Sequence, residues 1–188
     1  YSVVLQDDSI EIRDYAPQIV AETRVSGSMK DAGNTAFRPL FRYIDGNNEA
    51  QAEIAMTAPV AQRESEKIAM TAPVAQRAEG DEWVVNFMMP AEYTMESIPK
   101  PVDPQVTIRD IPVHRMAAIR YSGRWTEKNY SANLDKLRAW LAENGLEAIG
   151  DPVWARYNAP FSLPFLRRNE ILLPLAEGAI PALLKAAP

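Results

Sequence analysis

The fold is decided by Val20-Ala-Glu-Thr-Arg-Val-Ser-Gly27, a stretch that recurs in the second half of the chain as Met116-Ala-Ala-Ile-Arg-Tyr-Ser-Gly123. The two stretches share Ala, Arg, Ser and Gly at matching positions. Each runs into a segment whose apolar residues recur at three- and four-residue steps, which is typical of a helix that packs one face on a core. The chain therefore consists of two similar halves, each with a strand, a Ser-Gly turn and an amphipathic helix.

The two helices are predicted over residues 30–44 and 126–144. Gly46 ends the first, and Gly145 is well placed just past the second. Alternation of apolar and polar residues predicts strands in most other segments: 2–6, 9–15, 83–89, 105–110, 113–121, 153–157 and 169–173.

We therefore expect one α+β domain over residues 1–188. Its sheet should be a distorted, mainly antiparallel β-barrel of two pseudo-symmetric halves with two flanking α-helices. The halves, approximately residues 16–90 and 112–175, are interpreted as an internal duplication.

A second repeat is shorter. The decapeptide Ile-Ala-Met-Thr-Ala-Pro-Val-Ala-Gln-Arg occurs at residues 54–63 and again at 68–77. Two short copies cannot form a solenoid, and their alternation favours two extended segments joined by a polar loop. Pro59 and Pro73 cannot donate to a sheet, so each should lie at an edge, a bulge or a strand end. We assign the strand position before Trp83 to residues 68–74 of the second copy and expect the first copy to be more peripheral. The methionines of both copies should fill gaps in the core.

Composition limits the classes of function. A net charge of −5 argues against a protein that wraps nucleic acid or lies on an anionic membrane. No segment is long and apolar enough to span a bilayer, so we expect no stable membrane insertion. The absence of cysteine excludes disulfides and thiolate chemistry. The chain starts at Tyr1 and not at Met, so a cytoplasmic location and a periplasmic one after loss of an N-terminal segment both stay open.

Several stretches resemble the SOUL or haem-binding protein family. They are residues 10–15 and 20–27, Ala36-Phe-Arg-Pro-Leu-Phe-Arg-Tyr-Ile44, Lys67-Ile-Ala-Met-Thr-Ala-Pro-Val74, Phe87-Met-Met-Pro90, Tyr157-Asn-Ala-Pro160 and Arg167-Arg-Asn-Glu170. The resemblance implies a barrel of two similar halves that binds a tetrapyrrole reversibly. The family's surface cleft lies between the first helix and the loop before the last strand, which corresponds here to the face around Phe37 and Phe41 and to the loop 159–165.

A haem site needs an apolar surface, cations at its rim and usually an axial ligand. The loop residues Phe161, Leu163 and Phe165 either bind a ligand or cap the open end of the barrel. For each nearby arginine, a solvated position or an internal ion pair is the alternative to a propionate contact. The predicted haem-binding residues are Phe37, Phe41, Arg42, Tyr157, Phe161, Leu163, Phe165 and Arg168.

The iron ligand is where the chain departs from the family. A histidine on the first helix has been proposed as ligand in some members, but the single histidine here is His114, at the start of a strand in the second half. We expect His114 to be an exposed strand-end residue, and phenolate ligation by Tyr43 or Tyr157 stays open. The expected cofactor is haem or another porphyrin, bound non-covalently with weak or labile axial ligation, without a dedicated metal site.

Two alternatives to carriage, buffering or sensing of haem stay open. A small-molecule hydrolase or effector-binding domain of the same architecture would use Glu170 and Tyr157 as an acid and phenol pair, unless Glu170 forms an internal salt bridge with Arg120 or Arg24. A protein-interaction module would dock through residues 180–184. No Ser-His-Asp set, phosphate loop or metal-ligand cluster is visible. We therefore name no catalytic residue and favour a binding protein over an enzyme.

Overall fold

The computed structural model describes residues 1–50, 65–159 and 161–179, without the side chain of Lys30. Within this part of the chain there are two α-helices, α1 (Met29–Ile44) and α2 (Glu127–Glu143). The strands are β1 Ser2–Asp7, β2 Ile10–Tyr15, β3 Gln18–Val25, β4 Asn48–Glu49, β5 Val74–Glu79, β6 Glu82–Met88, β7 Lys100–Pro101, β8 Thr107–Ile111, β9 His114–Tyr121, β10 Val153–Arg156 and β11 Asn169–Leu175. The predicted helices and the α+β class are confirmed.

Nine strands form one sheet in the order β1-β2-β9-β11-β10-β5-β6-β3-β8, and β4 pairs separately with β7. All of these pairs are antiparallel, as predicted. In the hydrogen bonding of the described residues, β1 and β8 are the two edges of this sheet. No helix in the same part of the chain is long and apolar enough to cross a membrane.

The middle of the sheet joins two equivalent groups of strands. β3 and β9 have the same length and the same sequence of exposed and buried positions. β3 pairs with β6 as β9 pairs with β11, and β5 meets β10 where Gln76 lies opposite Trp154. The internal duplication of residues 16–90 and 112–175 stays a prediction, with which these equivalences are compatible.

Both helices begin in the same way, because the repeated Ser-Gly turn precedes each of them. Gly27 and Gly123 have φ angles of 117° and 112°, a backbone conformation that favours glycine. Ser28 and Thr126 then cap the helices, since each hydroxyl accepts a hydrogen bond from a main-chain N–H in the first turn at 3.2 Å. The repeated sequence therefore fixes where each helix starts.

The helices and the second face of the sheet define separate cores. α2 covers one cluster that includes Leu137 and Ile171, and α1 covers another that includes Leu40 and Phe87. Successive strand residues point to opposite faces, so a third cluster lies on the other face of the sheet: Tyr15, Met116, Ala118, Ala155 and Leu172. We call the face with the helices the outer face and the other one the inner face.

The decapeptide repeat is only partly described. Its first copy, residues 54–63, lies outside the described residues, so its peripheral position stays a prediction. The second copy supplies the start of β5, which pairs with β6. The strand begins only at Val74, so the predicted bounds of 68–74 are wrong. Met70 is 50% exposed, so the expectation that it fills the core is wrong. Residues 65–73 precede the strand without regular structure, and the side chain of Met70 is not held against the sheet.

Candidate functional site

The most exposed large apolar side chains lie in the loop before β11. We call residues 161–166 the aromatic loop. Phe161 is 91% exposed and Phe165 is 69% exposed, and Leu163 and Leu166 are also exposed. Such exposures are not those of side chains that fill the end of a barrel, and they leave a contiguous apolar segment available for contact.

The aromatic loop is nevertheless held in place. Residues 164–166 form a short 3₁₀ turn. The N–H of Gly123 donates to the Pro164 carbonyl at 2.9 Å, and Arg167 Nε donates to the Ser162 carbonyl at 2.9 Å. The loop therefore presents its apolar side chains from an ordered backbone.

A second apolar element lies on α1. Phe37 and Phe41, four residues apart, stack with their ring centres 5.6 Å apart, and Phe37 also meets the edge of Phe87 at 5.4 Å. Their exposures are 39% and 42%. Arg42 is one residue further along, about 100° around the helix, and borders a separate hollow with Asp103. The predicted Arg42 therefore faces away from the stacked phenylalanines.

Rings and guanidinium groups stack between α1 and the aromatic loop. Arg156 Cζ lies 4.5 Å from the centre of the Trp154 ring and 5.3 Å from that of Trp125. Arg167 Cζ lies 4.3 Å from the centre of the Trp125 ring. On α1, Gly33 leaves room for this stack, because a Cβ atom there would collide with the Arg156 guanidinium. Sequence reasoning missed both Arg156 and Trp125.

Arg156 has no carboxylate partner among the described residues. Its Nη2 donates to Gln76 Oε1, and Gln76 is itself fixed by donating to the Met29 carbonyl at 2.7 Å. In the same part of the chain, the buried Arg156 Nε has no hydrogen-bond partner. Burial lowers the pKa of Arg156 to about 10. A guanidinium without a counter-ion favours a carboxylate from elsewhere.

The inner face contains a different arrangement, a buried network around Glu170. The Glu170 carboxylate accepts hydrogen bonds from Arg13 at 2.7 and 3.0 Å, from Arg168 at 2.6 and 2.9 Å, and from the Tyr157 hydroxyl at 2.7 Å. Arg13 is 1% exposed and Glu170 is fully buried. The expected partners of Glu170 are wrong, since Arg24 pairs with Glu79 at 2.7 Å and Arg120 is exposed.

The network fixes the protonation of its members. Burial alone would raise the pKa of Glu170, but hydrogen bonds and charge from Arg13, with further bonds from Tyr157 and Arg168, hold it below its ordinary value. Burial, with the nearby Glu170 charge, raises the pKa of Tyr157 far above its ordinary value. Tyr157 therefore stays protonated and donates to a carboxylate, which disfavours both a phenolate ligand and a free acid and phenol pair.

The structure divides the eight predicted binding residues into three groups. Phe37 and Phe41 stack on α1, with Arg42 on another side of that helix. The aromatic loop carries Phe161, Leu163 and Phe165. Tyr157 and Arg168 meet on the inner face, where Arg168 Cζ lies 4.1 Å from the centre of the Tyr157 ring.

The inner face also contains a cavity of about 480 Å³ that is open to solvent on one side. We call it the inner cavity. His114 borders it. This residue begins β9, as predicted, but it is partly buried and not exposed. The His114 ring stacks on Tyr15 at 5.0 Å with an interplanar angle of 5°, and its Nδ1 lies 2.7 Å from the Pro112 carbonyl. Among the described residues no group of three His, Asp or Glu side chains could hold a metal ion.

Comparison with known structures supports the fold. The crystal structure of the EcmrR C-terminal domain superposes with a TM-score of 0.63 at 11% identity, over 88% of this chain and 96% of that one. A crystal structure of a hydrolase from Listeria innocua superposes with a TM-score of 0.58 at 9% identity, over 92% and 94% of the two chains. At these identities the likeness concerns the fold alone.

Comparison of sequences goes further. Heme-binding protein 2 from Homo sapiens is 28% identical over 171 residues, which cover 89% of this chain and 78% of that protein. Heme-binding protein 1 from Xenopus tropicalis is 26% identical over 168 residues, which cover 87% and 82%. The model of the SOUL heme-binding protein family matches residues 1–174. The chain therefore belongs to the SOUL heme-binding protein family.

Proposed function

We propose that this protein binds haem or a related tetrapyrrole reversibly on the outer surface between α1 and the aromatic loop. The observation that carries the proposal is the exposure of Phe161 and Phe165 in a chain of a haem-binding family. A flat ring that covers these side chains removes their apolar area from water, which contributes about 25 cal/mol for each Å².

The residues present also fit the carboxylates of such a ligand. Arg156 has no carboxylate partner in the described part of the chain, and its Nε is an unpaired donor. It lies in the stack of rings that continues through Trp125 to Arg167 beside the aromatic loop. A tetrapyrrole carboxylate beside the guanidinium would supply the missing counter-charge, so this surface combines apolar contact with a cation.

We infer that any axial ligation is weak or labile. Bound haem would supply an iron for electron transfer or small-ligand binding, while the residues of this surface bind and orient the ring. The single histidine of the chain borders the inner cavity. Contact area then dominates the affinity. A tetrapyrrole held in this way is released and rebound readily, which suits carriage, buffering or sensing.

A paired titration tests this function. Purified protein is titrated with haem, followed by the Soret band, and with metal-free protoporphyrin, followed by quenching of Trp fluorescence. We expect affinities within a few-fold of each other, because ring area and carboxylates are shared by both ligands. Absence of binding by both would overturn the function, and a much tighter complex with haem alone would overturn the minor role of the iron.

A further inference from the structure

We propose that the inner cavity is a second binding site, separate from the outer surface, for a small neutral aromatic molecule that carries one hydrogen-bond donor. Its volume of about 480 Å³ falls within the range of roughly 300 to 1,000 Å³ that small-molecule sites occupy. Strands of both halves of the sheet form its walls. The proposal goes beyond the binding of tetrapyrroles outside.

Apolar and aromatic side chains dominate the wall of the cavity, which favours an apolar ligand by burial of area. Thioethers and branched side chains contribute an adaptable surface against which a flat ring can pack. They include Val20, Met88, Met116, Val153 and Leu172.

The charges around the cavity disfavour charged ligands. Guanidinium groups already cover two of its rings, since Arg13 lies 4.4 Å from the centre of Tyr1 and Arg168 lies 4.1 Å from that of Tyr157. One face of each of these rings is therefore already taken by a cation, which disfavours an organic cation as ligand. Both arginines are paired with Glu170, and Arg13 is also paired with Glu11 at 2.7 Å, so two carboxylates balance the two cations.

The remaining charged groups of the cavity wall also disfavour a charged ligand. Arg77 is paired with Glu79 and lies 4.0 Å from Glu22. Asp151, at the exposed rim of the cavity, repels an anion. The lining thus offers an anion no unpaired cation among the described residues, so a neutral ligand is favoured.

His114 supplies the polar contact. The Pro112 carbonyl can only accept, so the ring hydrogen of a neutral imidazole stands on Nδ1, and Nε2 is left as an acceptor. Nε2 has no hydrogen-bond partner in the described part of the chain. Stacking on Tyr15 fixes the plane of the ring, so this acceptor has a fixed direction. A ligand with one O–H or N–H group would satisfy it.

The test uses a matched pair of probes, 1-naphthol and 1-methoxynaphthalene, which differ in the presence of the donor. Calorimetric titration at neutral pH should show wild type binding 1-naphthol about two- to tenfold more tightly, as expected for one net hydrogen bond. His114→Phe should still bind both probes but lose this preference. Failure of wild type to bind either probe, or an unchanged preference in His114→Phe, would overturn the proposal.

Substitutions that fill the inner cavity provide an independent test. Ala75→Phe and, as a second variant in case the first fails to fold, Val153→Phe should abolish binding of both probes while haem affinity stays within about twofold of wild type. Phe165→Ala should do the reverse, weakening haem and leaving the naphthol affinity unchanged. Displacement of 1-naphthol by saturating protoporphyrin, or its loss in Phe165→Ala, would show one shared site and would refute a separate inner site without affecting the tetrapyrrole function.

Discussion

The two faces of the sheet satisfy their polar groups in different ways. On the outer face, Arg156 is partly buried beside exposed aromatic side chains and has no carboxylate partner among the described residues. On the inner face, the Glu170 carboxylate receives bonds from two arginines and a tyrosine. The inner network is complete in itself and fixes geometry, whereas the outer surface combines an incomplete polar group with apolar area. A polar group that lacks a partner, next to exposed apolar side chains, indicates a binding surface better than charge alone does.

The largest expected effect concerns the inner network. Glu170→Gln keeps the shape of the side chain but leaves the Arg13 guanidinium, 1% exposed, without its main counter-charge. Breaking a buried pair in this way typically costs about 3 to 5 kcal/mol. We therefore expect a large drop in the free energy of unfolding in urea. The matched control is Glu79→Gln. Its pairs with Arg24 and Arg77 are far more accessible to solvent than the Glu170 network, so the denaturation midpoint should change little.

The difference in unfolding free energy between wild type and Glu170→Gln should depend on pH. The pKa of folded Glu170 lies below its ordinary value of 4.5, so the ionised carboxylate contributes stability that is fully present above that value and is lost as the pH falls through the folded pKa. The difference in unfolding free energy between wild type and Glu170→Gln should be constant between about pH 5 and 8 and should narrow in more acidic buffer. A difference that widens in acid would contradict this assignment.

The next largest effect concerns the aromatic loop. Full burial of a large apolar side chain contributes about 1.5 to 3 kcal/mol, so Phe165→Ala should weaken protoporphyrin binding roughly ten- to a hundredfold. Fluorescence titration measures this change. The control is Ile149→Ala, which removes a side chain of similar exposure, 65%, next to the far end of β11. Equal losses in the two variants would mean that the loop has no special role.

Substitution of the arginines should have a smaller effect on affinity, and this effect should differ between Arg156 and Arg42, the residue predicted from the sequence. Arg156→Gln should weaken protoporphyrin by roughly tenfold, as expected for a hydrogen bond to a charged group, and should leave the dimethyl ester of the same porphyrin unaffected. Arg42→Gln should change either affinity by less than about fivefold, because an exposed ion pair contributes at most about 1 kcal/mol. A larger loss in Arg42→Gln than in Arg156→Gln would place the carboxylates on the other side of α1.

The sequence predicted the secondary-structure elements better than it predicted which side chains contact each other. The repeat around Gly27 and Gly123 located the turns and helix starts because glycine and capping residues act locally. Partners depend on strand order and register, which no local pattern specifies. Arg13 meets Glu170 across 157 positions of the chain, and Arg156 meets Gln76 across 80. A usable signal was present for Arg156, since it follows Trp154 by two residues and therefore shares a face of β10 with it.

The central claim is that contact area on the outer surface, and not iron ligation by histidine, holds the tetrapyrrole. The most direct test is a haem titration, followed by the Soret band, of wild type, Phe161→Ala, Phe165→Ala and His114→Ala under one set of conditions. The account predicts that each phenylalanine variant weakens binding roughly ten- to a hundredfold, while His114→Ala stays within about twofold of wild type. Loss of the Soret shift in His114→Ala, with both phenylalanine variants unchanged, would contradict it.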